Sequence, residues 1–258
     1  MGYKLNKALG QHFLRDENVC RKIMDALCQY PMKQLLEVGP GGGALTKYLI
    51  GLEGVDLKCV EVDQEKVDWL RQHYPALQGR ILSASFLDMN CPFDGLFTVV
   101  GNFPYNISTQ ILFKVLDWKD QVTVVLGMFQ KEVAQRIAAR EGNKTYGVIS
   151  VLIQAYYDVE YLFEVSEQCF NPPPKVKSAV IRLTRRVETM SRRSDADLFK
   201  LVKAAFNQRR KTLRNALKPL FDAETLKDPL FDKRAEQLSV ATFGTLTFRM
   251  KSDQHAPS

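Results

Sequence analysis

The stretch Leu35-Leu36-Glu37-Val38-Gly39-Pro40-Gly41-Gly42-Gly43-Ala44-Leu45-Thr46 constrains what this chain can fold into more than any other. A short apolar run ends in a carboxylate. Glycines at alternate positions, Gly39, Gly41 and Gly43, come next, followed by residues able to open a helix. Glycine is wanted where backbone must turn sharply and approach a ligand with no Cβ in the way. The helix that follows offers unpaired N–H groups to that ligand. The pattern predicts a strand at about 34–38, a helix at about 44–51 and a binding loop between them. An ordinary strand-to-helix turn is the alternative on this pattern alone.

A second strand, Leu57 to Val62, ends in Glu61 and Asp63, and Glu61 lies 22 residues beyond Gly39. A carboxylate at that distance, at the tip of the second strand, can take both hydroxyls of a ribose. Its alternative role is at the N-terminus of the helix expected over 64–73. Glu37, ahead of the loop, suits a cation better than a phosphate. The pair favours S-adenosylmethionine, with its ammonium and sulfonium, over a dinucleotide.

A third strand at about 80–84 leads to Ser85-Phe86-Leu87-Asp88, and a fourth at about 97–101 to Asn102-Phe103-Pro104-Tyr105-Asn106. At a strand tip the Asn102 side-chain oxygen and the Phe103 carbonyl can accept the two N–H groups of a planar amine, while Tyr105 stacks on its ring. A fifth strand at about 122–126 and a helix over 130–139 come next. Tyr146-Gly147 opens another helix. The strands 157–165 and 176–183 have no helix between them and should pair antiparallel at the sheet edge. Between those strands Phe170 stands on a Pro-rich loop, either as a binding element or as an anchor packed on the core.

At 258 residues and 45% hydrophobic content the chain can bury one α/β domain plus a small appendage. No apolar run is long enough to span a membrane and the start has no apolar signal region, so a cytoplasmic protein is expected. Five scattered cysteines form no Cys-x-x-Cys pair and the three histidines do not cluster, which argues against disulfides and a metal site. The net charge of +7 is uneven: Asn171 to Lys218 holds fourteen Lys and Arg against three acids, a net of +11, leaving −4 for the rest. Such asymmetry points to a polyanionic partner. Lys4, Lys7 and Lys175, with Arg209, Arg210, Lys211 and Arg214, are the candidate contacts to the phosphates of that partner, which the resemblance given below makes RNA. Beyond a basic linker at 185–194 the pattern is helical, with a last short helix expected over 232–238.

In order and spacing, these motifs resemble the bacterial small-subunit ribosomal RNA adenine dimethyltransferases, the kasugamycin-sensitivity type. The likeness runs through Leu9-Gly10-Gln11-His12-Phe13-Leu14, the Glu37–Thr46 loop, Glu61-Val62-Asp63, Asn102 to Ser108 and Gln130 to Ala134. It continues through Phe170-x-Pro172-Pro173-Pro174-x-Val176-x-Ser178, Phe206-x-x-Arg209-Arg210-Lys211-Thr212-Leu213 and Arg234-Ala235-Glu236-x-Leu238-Ser239. It implies a Rossmann-like class I methyltransferase, with a mostly parallel seven-stranded sheet and an antiparallel edge hairpin, over residues 1–185. Residues 186–258 would form a small all-α domain that binds RNA or the ribosome.

The implied reaction is N6,N6-dimethylation of two adjacent adenosines in the 3′-terminal hairpin loop of 16S rRNA, by a monomer, during small-subunit biogenesis. The implied cofactor contacts are Gln11, His12, Leu14, Glu37, Gly39, Gly41, Gly43, Glu61, Val62, Ser85, Phe86 and Asn102. Catalysis falls to Asn102, Phe103, Pro104, Tyr105 and Phe170, with Tyr105 and Phe170 sandwiching the base. Where the family carries an Asp after the third strand this chain has Ser85, a neutral and shorter acceptor that lowers the expected cofactor affinity. Two other readings share these motifs: a large-subunit adenine methylase of the macrolide-resistance type, and a non-catalytic assembly factor on the same fold.

Overall fold

The structure, a computed structural model, describes residues 12–251. Its elements in chain order are β1 (Phe13–Leu14), α1 (Glu17–Leu27), β2 (Gln34–Val38), α2 (Thr46–Leu49), β3 (Asp56–Glu61), α3 (Gln64–His73), β4 (Ile81–Ser83) and β5 (Phe97–Asn102). There follow α4 (Ser108–Asp117), β6 (Val122–Gln130), α5 (Lys131–Ala138), α6 (Val148–Gln154), β7 (Tyr157–Val165), β8 (Phe170–Asn171) and β9 (Ser178–Arg185). Helices α7 (Asp195–Asn207), α8 (Leu213–Ala216) and α9 (Val240–Thr247) complete the chain.

The seven-stranded sheet has the order β4-β3-β2-β5-β6-β9-β7. Strands β4 to β6 run parallel, and β9 lies antiparallel to β6. Central strands of a parallel sheet are covered on both faces, which is why β2 and β5 carry adjacent apolar residues, Leu35-Leu36 and Val99-Val100, pointing to opposite faces. Leu35, Leu36, Val99 and Val100 are fully buried. The chain steps outward from β2 to β3 and β4, then returns to β5 on the other side of β2. That reversal opens a crevice at the carboxyl ends of β2 and β5, where ligands of open α/β sheets bind.

The described residues form two compact units, 12–134 with 158–185, and 135–157 with 186–251. Reading the sequence alone groups 135–157 with the first; these residues instead pack inside the second. Tyr146 is buried edge-on against Phe206 of α7, and Phe206 packs against Phe243 of α9. Within this second unit Ser194 caps α7 by accepting from the Asp197 N–H at 3.0 Å.

The short helix expected over 232–238 is instead two 3₁₀ turns, Pro229–Asp232 and Ala235–Gln237, because Arg234 between them is extended. Helix α9 carries Thr, Gly and Val, which are weak helix formers, and so gives little signal in the sequence.

Candidate active site

One cavity of about 520 Å³ occupies the crevice. Its walls are the β1 segment, the glycine loop, the tip of β3, the turn after β4 and the Asn102–Ile107 segment after β5. Parallel register alone puts these tips side by side: Val38 faces Val60, Glu37 faces Val100, and Glu61 faces Ser83.

Gly39, Gly41 and Gly43 all have positive φ, at 68°, 55° and 77°. Gly43 is the most constrained, since a Cβ there would also meet the Tyr74 ring at 2.6 Å. At the other wall Gly127 of β6 has a different reason to be glycine. Its Cβ would fall 2.3 Å from the Phe103 ring, which is buried edge-on against Phe129. That close approach fixes where Asn102-Phe103-Pro104 leaves the sheet.

Glu61 is 5% exposed, and its carboxylate is already engaged. Oε1 accepts from the N–H groups of Val62 at 3.0 Å and Asp63 at 3.1 Å, and Oε2 from Gly41 at 3.3 Å. A carboxylate offers about four lone-pair sites. Oε1 holds two donors and Oε2 one, so Oε2 keeps an open lone pair toward the cavity. Val62, beside it, is 59% exposed in the cavity wall, an apolar surface fit for the flat face of a nucleoside base. Ser85 and Phe86 line the same end, and Phe86 is held edge-on by Trp118. Asp88 is exposed and lies off the cavity wall.

Glu37 also lines the cavity but is 2% exposed. It accepts from Thr46 Oγ1 at 2.7 Å and from Cys59 Sγ at 3.5 Å. Burial pushes its carboxyl up to about 7, against hydrogen bonds from Thr46 and Cys59 that pull the other way. An acid raised above its unfolded value of 4.5 costs nothing below that pH, destabilises progressively between about 4.5 and 7, and adds no further loss above 7. Glu37→Gln, which keeps an acceptor for Thr46, should therefore flatten the fall in stability between pH 5 and pH 8, gaining up to roughly 3 kcal/mol at the upper end. Denaturant titrations at both pH values check this, and equal slopes for variant and parent would mean that Glu37 stays ionised.

At the opposite end, Asn102 Nδ2 donates to the His12 carbonyl at 2.9 Å. This fixes the orientation of the amide, because only the NH₂ side can meet a carbonyl, and leaves Oδ1 as an acceptor. Tyr105 is hydrogen-bonded to Ser178, which pins its ring, and the His12 ring lies 5.3 Å away. His12 Nδ1 is 2.8 Å from the Pro172 carbonyl. Pro104 approaches the glycine loop, 3.7 Å from where a Gly39 Cβ would sit.

Phe170 is the clear departure. It is 1% exposed, stays off the cavity wall, and belongs to the apolar cluster that includes Leu14, Met128 and Val180. The reason is the two-residue pairing of β8 with β1, Leu14 opposite Phe170, which turns this ring into the core. The anchor reading therefore describes it, and Tyr105 is the aromatic of the proposed pair that lines the cavity. Phe13, Tyr74, Lys47 and Ile107 also line the cavity and were given no role from the sequence: Lys47 and Ile107 sit beside the glycine loop and the Asn102 stretch, while Phe13 and Tyr74 come from elsewhere in the chain, for which the βα pattern carries no signal.

Lys4, Lys7 and Gln11 lie outside the described residues. The remaining basic candidates divide. Arg210, Lys211 and Lys175 are exposed. The Arg209 guanidinium donates to the carbonyls of Lys144 and Tyr146, both at 2.8 Å, and Arg214 pairs with Asp232 at 2.7 Å. Arg182, buried against Glu160, and Arg193, paired with Asp197, likewise serve the fold. The surplus of +11 thus overstates the charge available to a partner.

Comparison with known proteins agrees with this geometry. A family model described as ribosomal RNA adenine dimethylase matches residues 2–247. The ribosomal RNA small subunit methyltransferase A of Parabacteroides distasonis is 55% identical over 249 residues, covering 95% of this chain and 93% of its own. Among solved structures, a dimethyladenosine transferase from Plasmodium falciparum superposes with a TM-score of 0.76 at 22% identity, over 90% of this chain and 94% of its own. The 23S rRNA methyltransferase ErmE does so with a TM-score of 0.70 at 23% identity, over 92% and 99%. At those identities the two structures speak for the fold alone.

Proposed function

The chain belongs to the ribosomal RNA adenine dimethylase family, and we propose that it transfers methyl groups from S-adenosylmethionine to N6 of two adjacent adenosines in the 3′-terminal hairpin loop of 16S rRNA. The observation that carries the proposal is one cavity with Glu61 on the glycine loop at one end and Asn102-Phe103-Pro104-Tyr105 at the other.

The residues present fit the cofactor. Glu61 Oε2 retains a lone pair for a ribose hydroxyl, Val62 and Phe86 offer apolar faces to the adenine, and Ser85 stands beside them. When bound, S-adenosylmethionine supplies an electrophilic sulfonium methyl group. The target adenine leaves its stack to reach it, as enzymes acting on bases require. Tyr105, pinned by Ser178, stacks on the base. Asn102 Oδ1 and the Phe103 carbonyl accept the two N6–H groups, turning the nitrogen lone pair toward the methyl carbon. A side chain acting as strong base is unnecessary, because the amine proton becomes acidic only as the N–C bond forms. Rate comes from holding the reacting atoms at about 3–3.5 Å and from acceptors that match the charge developing on nitrogen.

Lys175, Arg210 and Lys211, exposed cations of the basic segment, hold the RNA partner. Arg210→Ala with Lys211→Ala should leave cofactor affinity intact and reduce the log–log salt slope of RNA binding by about 0.7–0.9 for each lost phosphate contact. An unchanged slope would make these side chains a solvated surface. In parallel, labelled methyl groups should enter isolated small subunits and not large ones; the reverse would favour the large-subunit type. Among the described residues no helix is long and apolar enough to cross a membrane.

A further inference from the structure

We propose that Phe13 is a positioning residue for methyl transfer, acting through the His12 carbonyl on the Asn102 amide; this rests on the assignment of Asn102 to the target amine. The resemblance gives roles to His12 and Leu14 on either side and none to Phe13. In the structure the Phe13 ring lies over the glycine loop. A Cβ on Gly41 would meet it at 3.0 Å and one on Gly42 at 3.6 Å. From the other side Lys66 Nζ stands 5.5 Å from the ring centroid. Lys66 is 2% exposed and is fixed by a 3.0 Å ion pair to Asp63, the cap of α3. An ammonium shielded from water is drawn to an aromatic face. The ring is clamped between the loop and α3.

The backbone carries that clamp one residue back. The β1–β8 pairing is short, Phe13 with Asn171 and Leu14 with Phe170, continued by the Arg15 N–H to the Cys169 carbonyl at 2.9 Å, and His12 Nδ1 reaches the Pro172 carbonyl at 2.8 Å. All of these tie the segment to the β8 side, and the seated Phe13 ring adds the anchor on the glycine-loop side. His12, next in the chain, presents the carbonyl that receives Asn102 Nδ2 at 2.9 Å. Without that carbonyl the amide can turn over and set a donor against an amine that is itself a donor. The clamp thus keeps Oδ1 as the acceptor facing the target.

A double-mutant cycle tests the connection. Single-turnover methyl transfer to undermethylated small subunits is measured at saturating cofactor and RNA, with RNA affinity alongside. Phe13→Ala should slow transfer on the order of 10–100-fold with RNA affinity unchanged, as expected for a misplaced reacting group. Phe13→Tyr, which keeps the ring, should recover the rate. In the Asn102→Ala background Phe13→Ala should add nothing, because the amide it orients is gone. Effects that multiply, or a wild-type rate in Phe13→Ala alone, would overturn the inference. Should thermal melting show Phe13→Ala unfolded, Lys66→Met releases the ring from the helix side and carries the same cycle. A wild-type rate in Asn102→Ala would overturn the site assignment first and this inference with it, so the two failures are distinguishable.

Discussion

Asn102→Ala should lose on the order of 10²–10³ in single-turnover methyl transfer while still binding ribosomal particles, since removing one well-placed polar group from a transition state has about that cost. The lost hydrogen bond is to a group whose acceptor strength matters most as charge builds on N6, so rate falls further than affinity. The variant also frees the His12 carbonyl, which Asn102 Nδ2 meets at 2.9 Å. That consequence is local, because His12 keeps its contact with the Pro172 carbonyl. Particle affinity measured beside the rate separates the two effects. Near-wild-type transfer would remove Asn102 from the chemistry.

Glu61→Ala should weaken S-adenosylmethionine binding by about 1–3 kcal/mol, the cost of leaving buried polar groups unpaired. The structure places the effect toward the upper end. The carboxylate also holds the Gly41, Val62 and Asp63 N–H groups, so its loss loosens both sides of the cavity. Glu61→Gln should restore little, because an amide puts an NH₂ where one of those N–H donors needs an acceptor. Calorimetry on folded variants decides; unchanged affinity in Glu61→Ala would place the ribose elsewhere.

What could be read from the sequence follows from how local each signal is. Glycines at alternate positions, Glu61 at the end of a strand and Asn102-Phe103-Pro104-Tyr105 are each set by a few consecutive residues at strand tips, and parallel register brings the tips together without further information. The neighbouring of β7 and β9 at the sheet edge followed from the missing helix between them, whereas the count of seven strands came from the resemblance and the pairing of β9 with β6 had no local signal. Phe170 was ambiguous because its environment is decided by a partner far away in the chain, through a ladder too short for any periodicity. Arg209 reads as a phosphate ligand in a basic run, yet its guanidinium holds two backbone carbonyls. Glu37 carries its full charge on paper and loses much of it on burial. Residues 135–157 join the second unit through Tyr146 and its ring contact with Phe206, a pairing no local pattern announces.

The central claim is the chemistry at one class of nucleoside, and mapping the product tests it most directly. The protein is incubated with methyl-labelled S-adenosylmethionine and undermethylated small subunits, and the 16S rRNA is digested and its modified nucleosides located. The account predicts label in N6,N6-dimethyladenosine at two adjacent positions of the 3′-terminal hairpin loop, with none in an Asn102→Ala control run for the same time. Label on another base or at another adenine atom, or no label from wild-type protein that binds both cofactor and subunit, would contradict it.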